Sequence, residues 1–163
     1  MKIDTLADLY LEQIRDMHSC EEQIIKALPK MARAASHPQL KKALEDHLEE
    51  TKGHLERLDQ ILEALGQSAG SKVCAAAAGL IEEGEEVLEN DGEEEACDAG
   101  LICAAQKVEH YEIASYGCLR TYARKLGRDE DAALLEQTLE EEKHSDVALT
   151  KLAMSVINDA AMA

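Results

Sequence analysis

Apolar residues recur at helical spacing along almost the whole chain. Leu6, Leu9/Tyr10, Ile14, Met17, Ile24, Leu28 and Met31 form the first such stripe. It is predicted to open at Asp4, an N-cap residue type, with Asp8 in the first turn. Pro29 lies inside the stripe and predicts a kink or a local break. Ser36-His37-Pro38 ends the segment, because a proline disfavours helix at the residue before it. A second helix over about residues 38–65 carries Leu44, Leu48, Thr51, Leu55, Leu58 and Leu62, and Gly66 stops it. After a polar turn at 67–71, a shorter amphipathic helix is expected over about 72–89, weakened by Gly79 and Gly84. Asn90-Asp91-Gly92 is a turn signal. A long helix over about 93–126 follows, ended by Gly127. The last helix starts near Asp129 and carries Leu134/Leu135, Thr138, Val147/Ala148, Leu149, Leu152 and Val156, with a frayed tail after Ile157.

Four long helices with a shorter one between the second and third predict an all-α fold. The short helix serves as a crossover, returning the chain along the bundle so that the next long helix starts at the other end. A four-helix bundle with one long crossover has ferritin-like topology, here as a single domain over 1–163. A faint internal repeat supports two helical hairpins. Leu48-Glu49-Glu50-Thr51-Lys52 matches Leu139-Glu140-Glu141-Glu142-Lys143, and Ile14 and Glu21 match Ile102 and Glu109.

The interruptions in the stripes carry the chemistry. The first row skips one member, and that member is Glu21. On the long helix after the crossover, Leu101, Ala105, Val108 and Tyr116 mark a face, and Glu109 and Glu112 fall on or beside it. The second helix carries His47, Glu50 and His54 on one side, and the last stripe is broken by Glu141, Glu142 and His144. Unpaired carboxylates are costly to bury, so a shared positive charge is expected among them. Dinuclear sites in four-helix bundles take a Glu from each of two helices and Glu-x-x-His from each of the other two. Glu141 and His144 have that spacing, whereas Glu50 is followed three residues later by Gly53. His54 or His47 could supply the missing imidazole, and Glu112 is an additional carboxylate. The expected ligands are therefore Glu21, Glu50, Glu109, Glu112, Glu141 and His144, with His54 or His47. Oxygen donors with some imidazole suit two ions of iron, or of manganese.

Composition narrows the setting. The 163 residues include no Trp, no Phe and four Tyr, so the core is expected to be aliphatic. A formal charge of −17 argues against nucleic acid and anionic membrane as partners. No apolar run reaches membrane-spanning length, and the N-terminus lacks a signal segment, which points to the cytoplasm. The five cysteines form no CxxC pair, and most of them read as small core residues in a reducing compartment.

Several stretches resemble the YciE/YciF-like ferritin-like family across nearly the whole chain. They are Glu21 with Gln23 and Ala27-Leu28-Pro29-Lys30, then His47-Leu48-Glu49-Glu50-Thr51, then Gln106-Lys107-Val108-Glu109-His110-Tyr111-Glu112-Ile113-Ala114, and Thr138-Leu139-Glu140-Glu141-Glu142-Lys143. The resemblance implies a ferritin-like bundle, usually dimeric, linked to stress responses. Glu-His-Tyr-Glu followed by a late Glu-x-x-His is also similar to rubrerythrin, a di-iron peroxide-reducing family, although no rubredoxin-type cysteine domain is present. The expected function is a dinuclear metal protein, a homodimer, with oxidoreductase activity on peroxide or dioxygen. The alternative is a non-enzymatic metal-binding or structural helical stress protein.

Overall fold

The computed structural model describes residues 2–89 and 91–162, so Asn90 of the expected turn lies outside the described residues. Helix α1 (Leu6–Ala34) is opened by Thr5 rather than Asp4. The Thr5 hydroxyl accepts from the Asp8 N–H at 3.1 Å, and the Asp8 carboxylate accepts from the Thr5 N–H at 2.9 Å. This reciprocal pair satisfies two donors that a helix start leaves unpaired. The helix continues through Pro29 without the expected break. Leu28 and Ala32, buried on either side, hold it against its neighbours despite the missing N–H.

Helix α2 (Pro38–Ala64) and helix α4 (Glu94–Lys125) end as the sequence indicates. Gly66 and Gly127 adopt φ of 64° and 71°, a left-handed conformation that favours glycine. The turns then close through Gln67 N–H to Leu62 C=O and Arg128 N–H to Ala123 C=O, both 2.9 Å. Between them lies α3 (Ala75–Leu88), opened by Cys74 and shorter than its pattern. Helix α5 (Asp129–Leu152) starts at Asp129, with Arg128 rather than Asp129 in the cap position. A π-helical turn, Ala153–Ile157, and the short α6 (Asn158–Ala160) follow. Buried Ile157 anchors this tail, which remains helical where fraying was expected.

Two buried polar contacts fix the helix directions. Asp98, near the start of α4, accepts from Ser36 N–H, Ser36 Oγ and His37 N–H at 2.9, 2.7 and 2.8 Å. The α1–α2 turn and the start of α4 therefore share one end of the bundle. Tyr10 donates to Asp131 at 2.9 Å, which places the starts of α1 and α5 at the opposite end. Thus α2 and α4 run one way, α1 and α5 the other, and α3 carries the crossover. This is the ferritin-like arrangement. Hairpins α1–α2 and α4–α5 pack against each other, and α3 covers α1 and α4. Small residues allow that close cover. A Cβ on Gly100 would lie 2.7 Å from Val87 Cγ1, and one on Gly84 would meet Ala104 at 3.5 Å.

The inner faces follow heptad-like rows. They are Tyr10, Ile14, Met17, Glu21, Ile24 and Leu28 on α1, and Leu40, Leu44, His47, Thr51, His54, Leu58 and Ile61 on α2. Polar residues therefore share a face with the aliphatic core. Among the described residues, no helix is long and apolar enough to cross a membrane.

Asp98→Ala would leave Ser36 and His37 donors without their acceptor. It is expected to lower the unfolding free energy by about 2 kcal/mol. Urea unfolding followed by circular dichroism checks this, with helical content retained before the transition.

Candidate metal centre

Six ionisable side chains meet halfway along the bundle, each from an inner-face position. They are Glu21 on α1, His47 and His54 on α2, Glu109 and Glu112 on α4, and Glu142 on α5. Glu21, Glu112, Glu142 and His54 have no exposed surface, and Glu109 retains 1%. They form two overlapping groups. His47, Glu109, Glu112 and Glu142 each offer an atom within 4.8 Å of the others, as do Glu21, His54 and Glu112. Glu112 belongs to both and lies between them.

Six carboxylate oxygens here have no hydrogen-bond partner: Glu21 Oε2, Glu109 Oε2, and both oxygens of Glu112 and Glu142. The partners that do exist hold the opposite edges. Tyr116 donates to Glu21 Oε1 in a close contact, and Ser145 donates to Glu109 Oε1 at 2.7 Å. His54 Nδ1 lies 2.9 Å from Glu142 Oε1, yet the two are not aligned as donor and acceptor. His47 Nε2 stands 3.4 Å from Glu109 Oε1. Free oxygens and ring nitrogens thus converge on common points.

Burial, and then the neighbouring Glu142, push Glu109 up from 4.5 to about 9. Burial and then the charges of Glu142, Glu21 and Glu109 push Glu112 well above the carboxylate range. For His54, burial favours the neutral ring. The Glu142 and Glu21 carboxylates beside the ring outweigh it and raise it to about 10. Each shift reflects negative charge confined away from water.

Glu50, Glu141 and His144, expected as ligands, are not brought into these groups. His144 is exposed. Glu141 is held by Arg57 at 2.6 and 2.9 Å and accepts from Gln137. It also lies 3.0 Å from His54 Nε2, the ring nitrogen facing away from the carboxylates. Glu50 stands 3.6 Å from His47 Nδ1. Glu141 therefore orients His54 from outside, as the outer partners of ligating histidines commonly do, while Glu50 stands behind His47 without a hydrogen bond. His47 and His54 both enter the cluster, so neither excludes the other.

Glu142 was the residue missed. The repeat that aligns Leu48 with Leu139 also aligns Thr51 with Glu142, and Thr51 already stood in the core row. In that frame α2 carries Thr51-Lys52-Gly53-His54 and α5 carries Glu142-Lys143-His144-Ser145. Each holds half of Glu-x-x-His: the histidine on α2, the glutamate on α5. His47 and Glu112 bring the set to four carboxylates and two imidazoles. Four ionised carboxylates balance two divalent cations, so the residues present fit such a pair.

Comparison with known proteins agrees with the fold. YciF of Escherichia coli strain K12 is 48% identical over 159 residues, spanning 97% of this chain and 96% of its own. The crystal structure of the E. coli stress protein YciF superimposes with a TM-score of 0.91, covering 95% of this chain and 98% of that one. YcfI, a putative structural protein from Rhodopseudomonas palustris, is 42% identical with a TM-score of 0.88, covering 91% of this chain and 95% of its own. A protein from Xanthomonas campestris, 23% identical over 94% of both chains with a TM-score of 0.74, shares the fold. The profile described as "Domain of unknown function (DUF892)" matches residues 5–162, and the chain belongs to that family.

Proposed function

We propose that this protein binds two metal ions, iron or manganese, between its helices and reduces peroxide or dioxygen there. The observation that carries the reading is the set of six unpartnered carboxylate oxygens in the bundle interior. A buried carboxylate without a partner costs several kcal/mol, which a shared cation offsets. Glu112, common to both groups, would contribute to holding both ions. Glu109, Glu142 and His47 would hold one ion, and Glu21 and His54 the other. Such a pair, when bound, supplies reversible one-electron steps at a carboxylate-rich site.

The chain's own residues prepare the site for that chemistry. Glu141 orients His54, while Tyr116 and Ser145 hold Glu21 and Glu109 in place. An apolar cleft of about 40 Å3 between α1, α3 and α4 reaches His47 and Glu109, lined by Ile24, Leu28, Ile81 and Val108. It favours a small uncharged reactant. The YciF relative is a stress protein, which accords with removal of an oxidant. The free thiols accord with a reducing cytoplasm. A homodimer remains part of the proposal.

The competing reading is a metal-free polar core in a structural protein. The close Tyr116–Glu21 contact and the 2.9 Å His54–Glu142 approach favour it. Elemental analysis after anaerobic loading with iron(II) separates the two. Two ions per chain are expected, with at least one lost in Glu112→Gln and both kept in His144→Ala. No bound metal, or an unchanged content in Glu112→Gln, would reject the proposal.

A second test uses protons. Without metal, folded Glu109 keeps a proton that the unfolded chain releases between 4.5 and about 9, and His54 does so between 6.5 and about 10. The folded state binds more protons across those windows, so its stability falls as pH rises through them. Metal would displace these protons. The melting temperature of metal-free protein is expected to drop from about pH 5 to about pH 9. The metal-loaded protein should show a shallower drop, and metal-free Glu112→Gln a flatter profile than metal-free wild type.

A further inference from the structure

A pair of thiols beside the carboxylate cluster has no part in the mechanism above. Cys20 precedes Glu21 on α1, and Cys74 opens α3; both are fully buried and free. Though distant in the chain, the two thiols lie near enough that each shifts the other. The backbone of Cys74 is clamped to α1 on both sides. Its N–H donates to Ser19 Oγ at 3.1 Å, and its C=O accepts from Gln23 at 3.1 Å. The loop before it contains Gly66 and Gly70, both left-handed, with φ of 64° and 74°.

The surroundings of Cys74 suit a reacting thiol. Its sulfur accepts from the Ala77 N–H at the start of α3, at 3.5 Å. It also lies 3.2 Å from the Tyr111 hydroxyl. Tyr111 gives its one hydroxyl hydrogen to Asp16 at 2.9 Å, so it receives the hydrogen of Cys74. Asp16 is partly exposed and stands 3.5 Å from Lys72. A proton path therefore runs from Cys74 through Tyr111 and Asp16 to solvent. On the other side, Cys20 is covalently next to Glu21, and the charges of Glu112 and Glu21 reach its thiol. Cys20 and the Ala77 N–H favour the Cys74 thiolate against the opposing effect of burial.

We propose that Cys20 and Cys74 are a two-electron thiol pair that closes to a disulfide as peroxide is reduced at the neighbouring carboxylate centre. The proposal rests on the function given above and names the electron source for it. The reaction balances. The sulfur–sulfur bond forms and the oxygen–oxygen bond of hydrogen peroxide breaks. The two thiols give up two electrons and two protons, and the peroxide leaves as two waters. A small dithiol reductant restores the pair by exchange.

The test uses the full chain loaded anaerobically with iron(II), with metal content measured first. One equivalent of hydrogen peroxide is added, and thiols are then alkylated and mapped by mass spectrometry. Free thiols are expected to fall from five to three, with one cross-linked peptide joining Cys20 and Cys74 that a dithiol reverses. Cys103→Ser should give the same cross-link. Cys20→Ser and Cys74→Ser should each keep their metal and lose it. Closure should be slower in metal-free protein. Metal-loaded protein that consumes peroxide yet keeps its thiols, or cross-links elsewhere, overturns the thiol pair alone. Equal closure rates with and without metal overturn its link to the centre. Protein that binds no metal overturns both readings.

Discussion

Everything in this bundle accommodates four carboxylates inside an aliphatic core. Glu21, Glu109, Glu112 and Glu142 occupy positions that heptad spacing reserves for residues such as Ile and Leu. An isolated carboxylate there would be neutralised or would destabilise the fold. Two histidines face the group from α2, and tyrosine and serine hydroxyls hold its edges. Above and below that level the interior returns largely to Ile, Leu, Met and Ala, with Asp98 and Asp131 buried near its two ends. The aliphatic ends supply the burial that holds the helices together around it.

Most of the fold was legible because helix periodicity and chain punctuation agree. Gly66 and Gly127 end their helices through the left-handed turn their composition suggests. The crossover was placed by the short stripe between two long ones. Pro29 was misjudged because an isolated propensity cannot weigh the packing on either side of it. The helix starts moved by a residue because Thr5 and Asp8 form a reciprocal cap that a single-residue preference does not capture.

At the site, Glu21, Glu109, Glu112, His47 and His54 were singled out by the stripes they interrupt, and the structure gathers all five. Glu141 and His144 were favoured because they fit Glu-x-x-His in contiguous sequence. The structure brings Glu142 into the cluster in place of Glu141, since one step around a helix turns a side chain from the interior toward the edge. The repeat contained the needed information, since buried Thr51 aligns with Glu142. The outer roles of Glu50 and Glu141 emerge only in three dimensions. They occupy equivalent places in the two hairpins, and each stands behind a different histidine of α2.

That split arrangement makes the two halves of the centre chemically unlike. One side offers His47 with three carboxylates, whereas the other offers Glu21 and His54 with the shared Glu112. An ion on the carboxylate-richer side would feel more negative charge, which favours its higher oxidation state. The pairs Thr51/Glu142 and His54/Ser145 differ between the two hairpins, so the two ends of the cluster carry unlike charge and unlike donors.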